Sequence, residues 1–295
     1  MKYRFIDLFA GAGGLSEGFI RAGYEPIAHI EMDHYACDSL KTRAAFHYLK
    51  ENGKLEIYEE YLKNKKEKTD GSWLWNQVPK SVIDSVIQEA IGKETLPSLF
   101  ERVDKLCNGK PVDMIIGGPP CQAYSIAGRA RLGKKIEEDP RNDLYKFYVE
   151  FLKRYKPKMF VFENVLGIFT AKGGEPFRDL IRLVRELDYN IDFREQIASQ
   201  HGVLQKRHRV IIVGWQNKRD TQEDTSYHYP YLLEEQMPYK MMRDLFCDLP
   251  IVKAGEGTLC GIVHYTKPLS DMEYLKKSGI RAVSYTHLNA ADDLI

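Results

Sequence analysis

Three short clusters in this chain carry side chains able to make and break bonds. The first is Asp113-Met-Ile-Ile-Gly-Gly-Pro-Pro-Cys121-Gln122, with Ser125 close behind. The apolar run Met114 to Ile116 predicts a buried strand, stopped by two glycines and two prolines. Ligands of open α/β sheets bind beyond the carboxyl ends of strands, so Cys121 stands at the mouth of a site. Pro119 and Pro120 have a fixed φ and no N–H, which stiffens the turn. A free cysteine is most often a small buried hydrophobe. Placement at a strand end in this frame favours a nucleophile instead, because a thiolate attacks readily and leaves well. The second cluster, Glu163-Asn164-Val165, closes the apolar run Met159 to Phe162 and sets a carboxylate at another strand end. Its bland alternative is a salt-bridged structural carboxylate. The third is Gln205-Lys-Arg207-His-Arg209. Arginines two apart on a strand share a face. One of them can fix Glu163 or a polar atom of the substrate, and the other a phosphate.

These clusters need elements to carry them. Tyr3 to Phe9 predicts a strand, Gly11-Ala-Gly13-Gly14 a turn, Leu15 to Ala22 a helix, and Ile27 to Ile30 a strand ending at Glu31. A βαβ unit with a glycine-rich first turn is the layout of a nucleotide-type cofactor site, and an acidic residue about 20 positions on accepts from ribose hydroxyls. A dinucleotide fingerprint needs a third glycine where Ser16 stands. Asp33 is placed to cap a helix running to about Leu49. Residues from about 50 to 110 predict an insertion packed on the sheet edge, helical in flavour, with an apolar pattern over Val82, Ile83, Val86 and Ile87. The lysine run Lys63 to Lys68 predicts a solvated face. After Cys121 comes a basic, glycine-punctuated loop with Arg129, Arg131, Lys134 and Lys135. A loop that long is usually functional, and this one suits the phosphates of a polyanion. Leu144, Phe147, Tyr148, Phe151 and Leu152 repeat at helical spacing, and Pro176 opens a further helix. Ile191 to Ala198 and Val210 to Trp215 predict a closing strand pair. The texture changes near Tyr239, giving a large domain over 1–239 and a smaller one over 240–295.

Bulk composition sets outer limits. With 295 residues and 43% hydrophobic content, the chain can bury a sizeable core. A net charge of +1 means that any nucleic-acid contact rests on local patches. Five widely spaced cysteines without a Cys-x-x-Cys argue against a disulfide framework or zinc site and suit a reducing, cytoplasmic setting. No apolar run is long enough to span a bilayer. The opening Met-Lys-Tyr-Arg-Phe-Ile-Asp runs straight into a strand and leaves no room for a signal peptide.

Gly-Gly-Pro-Pro-Cys121-Gln122-x-x-Ser125 resembles the nucleophile motif of the DNA cytosine-5 methyltransferases. Asp7-Leu-Phe9-Ala-Gly11-Ala-Gly13-Gly14 resembles that family's S-adenosylmethionine loop, and Glu163-Asn-Val and Gln205-x-Arg207-x-Arg209 match its later motifs in order. The resemblance covers about Lys2 to Trp215. It implies a Rossmann-like methyltransferase fold, a mostly parallel sheet with helices on both faces, followed by the start of a recognition domain. It also implies methylation of C5 of a cytosine flipped out of duplex DNA, because C6 is shielded within the stack. By resemblance Cys121 is the nucleophile, Glu163 and Arg207 hold the base, and Gln122, Ser125, Arg129, Arg131 and Arg209 face the nucleic acid. Phe9, Gly11, Gly13, Gly14, Glu31 and Pro120 border the cofactor, with Met32 against the adenine ring. An acidic residue that touches the adenine amino group is expected, for which Asp84 and Asp104 are candidates. Two departures from the family stand out: Leu166 and Leu204 replace prolines and soften turns near the site.

The resemblance points to the modification arm of a bacterial restriction system, with double-stranded DNA as substrate and a cognate endonuclease acting on the same site. An RNA cytosine methyltransferase, a nicotinamide dehydrogenase and an impaired DNA-binding remnant are the rivals. Family members continue further past the first catalytic block, so this chain is expected to be C-terminally truncated. Poor stability, weak cofactor binding and a lack of sequence-specific methylation in isolation, restored by a second chain, are the corresponding expectations.

Overall fold

The computed structural model describes residues 2–63, 71–120, 143–203, 205–217 and 249–251. The chain divides into two compact units, the first formed by residues 1–196 with 208–231 and the second by 197–207 with 232–295.

In the first unit the strands are β1 (Arg4–Leu8), β2 (Glu25–Glu31), β3 (Val86–Gln88), β4 (Met114–Gly117), β5 (Met159–Asn164), β6 (Tyr189–Ile197, whose last residue enters the second unit) and β7 (His208–Gln216). They form one sheet in the order β3-β2-β1-β4-β5-β7-β6. β1 to β5 pair in parallel, and β7 runs antiparallel to β5. The helices are α1 (Gly14–Arg21), α2 (His34–Glu51), α3 (Leu55–Lys63), α4 (Ser72–Trp75), α5 (Lys80–Asp84), α6 (Leu96–Cys107), α7 (Leu144–Tyr155) and α8 (Glu175–Glu186).

Strands covered on both faces read as near-continuous apolar runs, and side-chain alternation deals them to two cores. Ile6, Leu8, Ile115, Phe160 and Phe162 join Leu99, Phe151 and Leu180 of α6, α7 and α8. Phe5, Met114, Ile116, Met159 and Val161 pack instead with Leu15, Phe19 and Ile20 of α1 and its flank. The helices therefore cover both sheet faces, as the α/β reading expects. The buried Tyr148 hydroxyl lies 3.0 Å from the carbonyls of both Ile115 and Val161 and can donate to either, tying α7 to two strands.

The stretch read as an insertion over 50–110 is smaller than expected. α3, α4 and α5 do form a satellite layer on α2, around Ala45, Leu49, Tyr58, Tyr61 and Leu74. α6 belongs to the main core, however, and β3 is an edge strand of the main sheet, with Ile87 fully buried. Val86 and Ile87 continue the apolar spacing of Val82 and Ile83. Yet α5 stops at Asp84 and the pair joins β2 in register His29↔Val86, Ile30↔Ile87. A three-residue strand is too short to show a period of its own.

In the second unit the described residues include a 3-10 turn, Ala198–Gln200. The N–H groups of His201 and Val203 both donate to the Ala198 carbonyl, and the Ala198 N–H donates to the Arg207 carbonyl at 2.9 Å. The expected boundary at Tyr239 and the domain after it, the basic loop with Arg129 and Arg131, Leu204, and Lys65, Lys66 and Lys68 of the lysine run lie outside the described residues.

Candidate active site

The chain leaves β1 for β2 and β3 on one side and returns to β4 and β5 on the other. The reversal lies between β1 and β4, and crevices at such switch points are where open α/β sheets bind ligands. Parallel register brings the carboxyl ends of the first five strands to one edge of the sheet: Leu8 pairs Ile30 and Gly117, Glu31 pairs Gln88, and Gly117 pairs Phe162.

On the β1–β2 side the loop is shaped by left-handed backbone. Gly11 (φ 55°) and Gly13 (φ 87°) take conformations that disfavour a Cβ, and Phe9 takes φ 57° despite its side chain. Non-glycine residues held there cluster at functional sites and store about 1–3 kcal/mol each. The Glu31 carboxylate ties this loop to β2. Its Oε2 accepts from the Gly11 N–H at 2.8 Å, and its Oε1 accepts from the N–H groups of Met32 and Asp33 at 2.8 and 2.9 Å. Asp33 caps α2 by accepting from the Ala36 N–H at 2.8 Å. A Cβ built on Gly11 or Gly14 meets nothing within 4 Å, so the loop borders open space. Met32 beside it is 67% exposed. Loop, carboxylate and exposed thioether form a cradle of the kind a nucleoside-bearing cofactor fits. Ser16, the departure from the dinucleotide fingerprint, is buried and donates from Oγ to the Gly13 carbonyl at 3.1 Å.

On the β4–β5 side the turn after β4 is packed without slack. A Cβ on Gly117 would stand 2.4 Å from the Leu8 carbonyl oxygen, and one on Gly118 would stand 2.6 Å from Glu163 Oε2. Glycine is required at Gly117, where the obstacle is backbone, whereas a Cβ at Gly118 would push the Glu163 carboxylate aside. Asn164 is buried and donates from Nδ2 to the Pro119 carbonyl at 3.3 Å, while its Oδ1 accepts from the Val165 N–H at 2.9 Å. Glu163 and Asn164 thus brace the backbone leading through Pro120 to Cys121. Cys121, Gln122 and Ser125 themselves lie outside the described residues. Two other cysteines are unsuited to attack. Cys37 is buried, and burial followed by the Glu31 charge pushes its thiol up to about 11. Burial also pushes the Cys107 thiol up. Thiols held protonated are poor nucleophiles.

Arg209 Nε lies 2.6 Å from Glu163 Oε1, with the two side chains 23% and 25% exposed. By resemblance Arg207 holds the base with Glu163 and Arg209 faces the nucleic acid; in the structure Arg209 forms an ion pair with Glu163. The reason is register: Ile211 stands opposite Glu163, and Arg209 is two residues earlier on the same face of the antiparallel strand. Arg207 precedes β7, is exposed and belongs to the second unit.

Neither proposed adenine-contacting aspartate reaches this edge. Asp104 lies in the C-terminal half of α6, which leads back to the start of β4, and it pairs with Arg154 and Tyr155. Asp84 ends α5, at the start of β3. The polar residues at the correct end of β3 are Gln88 and Glu89, and the Glu89 N–H donates to the Glu31 carbonyl at 2.9 Å. The signal for them was an acidic residue just after a β-branched pair. The departure Leu166 opens a 3-10 turn, Leu166–Phe169, and packs against the main core.

Comparison with known proteins adds kinship to this geometry. The family profile for C-5 cytosine-specific DNA methylases matches residues 3–72 and 91–269. The chain is 33% identical over 280 residues to the type II methyltransferase M.Bpa9945I of Bacillus paralicheniformis, covering 85% of the chain and 62% of that protein. It is 29% identical over 285 residues to the type II methyltransferase M1.HphI of Haemophilus parahaemolyticus, covering 95% and 63%. The chain therefore spans less than two thirds of the length of these relatives. A crystal structure titled as a prophage-encoded DNA modification methyltransferase from E. coli shares the fold, with a TM-score of 0.53 and 24% identity, over 85% of this chain and 56% of the other.

Proposed function

The chain belongs to the C-5 cytosine-specific DNA methylase family, and from that premise we propose that it methylates C5 of a cytosine flipped from double-stranded DNA, using S-adenosylmethionine. The observation that carries this reading is the Glu163–Arg209 pair wedged against Gly118, three residues before Cys121. It sets a carboxyl group, a guanidinium and the approach to a thiol at one strand-end crevice, beside the cradle of Phe9, Gly11, Gly13, Gly14 and Glu31.

S-adenosylmethionine, when bound, supplies an electrophilic methyl group. Glu31 would accept from its ribose hydroxyls, Met32 would lie against its adenine, and Glu89, at the carboxyl end of β3, would serve as the acidic residue facing the adenine amino group. Pro120 would border the same site. C5 of cytosine is a poor nucleophile until C6 is attacked. The Cys121 thiolate adds at C6 and the ring electrons move towards N3, where the Glu163 carboxyl group hydrogen-bonds and stabilises the arriving charge. Arg209 holds Glu163 in place and offers its remaining N–H groups to the base O2. With the methyl group transferred to C5 and the thioether released, a solvent water takes the C5 proton, and the freed electron pair re-forms the C5–C6 double bond and expels the Cys121 thiolate from C6. Gln122, Ser125, Arg129, Arg131 and Arg207 are left to contact the nucleic acid.

Relatives named as type II methyltransferases support a place in a restriction–modification system, with an endonuclease acting on the same DNA site. Among the described residues no helix is long and apolar enough to cross a membrane. The test is transfer of labelled methyl groups to plasmid DNA and to RNA, with modified cytosines mapped by sequencing. Methylcytosine in DNA is expected. Transfer to RNA alone, or to neither, would overturn the reading.

A further inference from the structure

A charged cluster lies on the other side of the glycine loop from the open space. The ideal Cβ position of Gly13 is 2.9 Å from Leu40 Cδ2 and 3.2 Å from Arg43 Nε, so these two α2 side chains lie beside the loop and leave room there for glycine alone. Arg43 donates from Nη2 to Glu17 Oε2 at 2.7 Å, and His47 Nε2 lies 2.8 Å from the same oxygen. The other oxygen, Oε1, accepts from Arg21 Nε at 2.7 Å. Glu17 is 13% exposed and Arg43 and His47 are each 19% exposed. Holding charges there is expensive, and a hydrophobic contact of similar volume would join two helices at least as well. The cluster's position shows what it is for. α1 follows the loop after β1, α2 follows Glu31 after β2, and the cluster spans these two helices at the loop residue between them.

We infer that Glu17, Arg43 and His47 are positioning residues that clamp the glycine loop and α1 against α2, and so set the width of the cofactor slot between the loop and Glu31. At its mouth the loop is tied to β2 by the Gly11 N–H to Glu31 Oε2 and, one residue earlier, by the Ala10 N–H to the Ile30 carbonyl at 3.1 Å; only the first of these uses a side chain the cofactor would claim. Ribose hydroxyls arriving at Glu31 compete for that oxygen, so the mouth tie weakens when the slot fills. The clamp touches neither Glu31 nor the open space and holds the loop while this happens. Burial pushes the Glu17 carboxyl up, but the hydrogen bonds from His47 and Arg21 and the charges of His47 and Arg43 outweigh it and hold the group at about 2. Glu17 is therefore ionised whenever the enzyme works. The inference rests on the cofactor reading given under the proposed function.

The experiment measures S-adenosylmethionine affinity by calorimetry, together with kcat at saturating cofactor, for the wild type and for E17Q, R43M and R43K. E17Q and R43M are expected to bind the cofactor about tenfold more weakly, with kcat within about twofold of wild type. R43K keeps a cation but not the forked geometry and should fall between them. Cofactor affinity within about twofold of wild type in all three variants, whatever happens to their melting temperatures, would overturn the clamp. So would a fall in kcat with affinity unchanged. If R43M does not fold, the ranking of wild type, R43K and E17Q still decides. A wild type that binds no S-adenosylmethionine fails the cofactor reading itself, and the clamp with it.

Discussion

Glu163 is held from two sides, by Arg209 at 2.6 Å and by the backbone at Gly118. Glu163→Gln keeps the shape and a hydrogen bond but not the proton chemistry. It should slow single-turnover methylation about 10²–10⁴-fold while DNA affinity changes little. Equal losses in rate and binding would point to a structural carboxylate. Gly118→Ala places a methyl group 2.6 Å from the present position of Glu163 Oε2. It should cost about 1–3 kcal/mol in urea unfolding and displace Glu163, lowering turnover while leaving cofactor affinity near wild type. Cys121→Ser should abolish transfer, because a serine alkoxide is far harder to form at neutral pH than a thiolate. A covalent adduct on 5-fluorocytosine DNA should map to Cys121, not to Cys37 or Cys107. The strand-end residues were legible because the strands closing on them are plain apolar runs. The choice between Arg207 and Arg209 was not. Alternation shows that two residues share a face, but only the register of β5 against β7 shows which one meets Glu163.

Among the elements, α1 and α2 carry the clearest dependence on pH. Glu17 titrates well below its ordinary range, so the folded state holds it ionised more tightly than the unfolded chain does. Its contribution is complete above the ordinary carboxylate range, near 4.5, and is lost as pH falls towards about 2. E17Q should remove roughly 1–3 kcal/mol at pH 6, and the acid decline in unfolding free energy below pH 4.5 should become shallower. Urea titrations across that range would show it. An unchanged slope would mean that Glu17 is not linked to folding. β3 lends itself to a different check. Glu89→Gln should weaken cofactor binding several-fold without altering stability, whereas Asp104→Asn and Asp84→Asn should leave binding unchanged. Both halves are read by the same calorimetric titration. Long helices such as α2 and α7 were plain from cap and periodicity. β3 was hidden because it is three residues long and follows a helix with the same apolar spacing.

For the molecule as a whole, the first unit places a cofactor cradle and a base-handling crevice on either side of a single switch point. A ligand bound only by the folded state stabilises it by mass action. S-adenosylmethionine at a hundred times its dissociation constant should therefore raise the unfolding free energy by about 2.7 kcal/mol, seen as a rise in melting temperature. No shift would argue against an assembled cradle. The central sheet also bears on how that cradle comes to exist. The Arg4 N–H donates to Asp113 Oδ2 at 3.0 Å across 109 positions of sequence, and β1 pairs with β4 over the same distance. Joining such remote segments requires closing a large loop before contacts repay it, which slows folding. The β1–β2 cradle is local in sequence, but the crevice is complete only once β1 has paired with β4. If full cofactor affinity needs the complete crevice, S-adenosylmethionine should leave the refolding rate almost unchanged and slow unfolding instead, since that crevice closes after the rate-limiting step. In stopped-flow experiments the refolding arm with and without S-adenosylmethionine should superimpose while the unfolding arm drops.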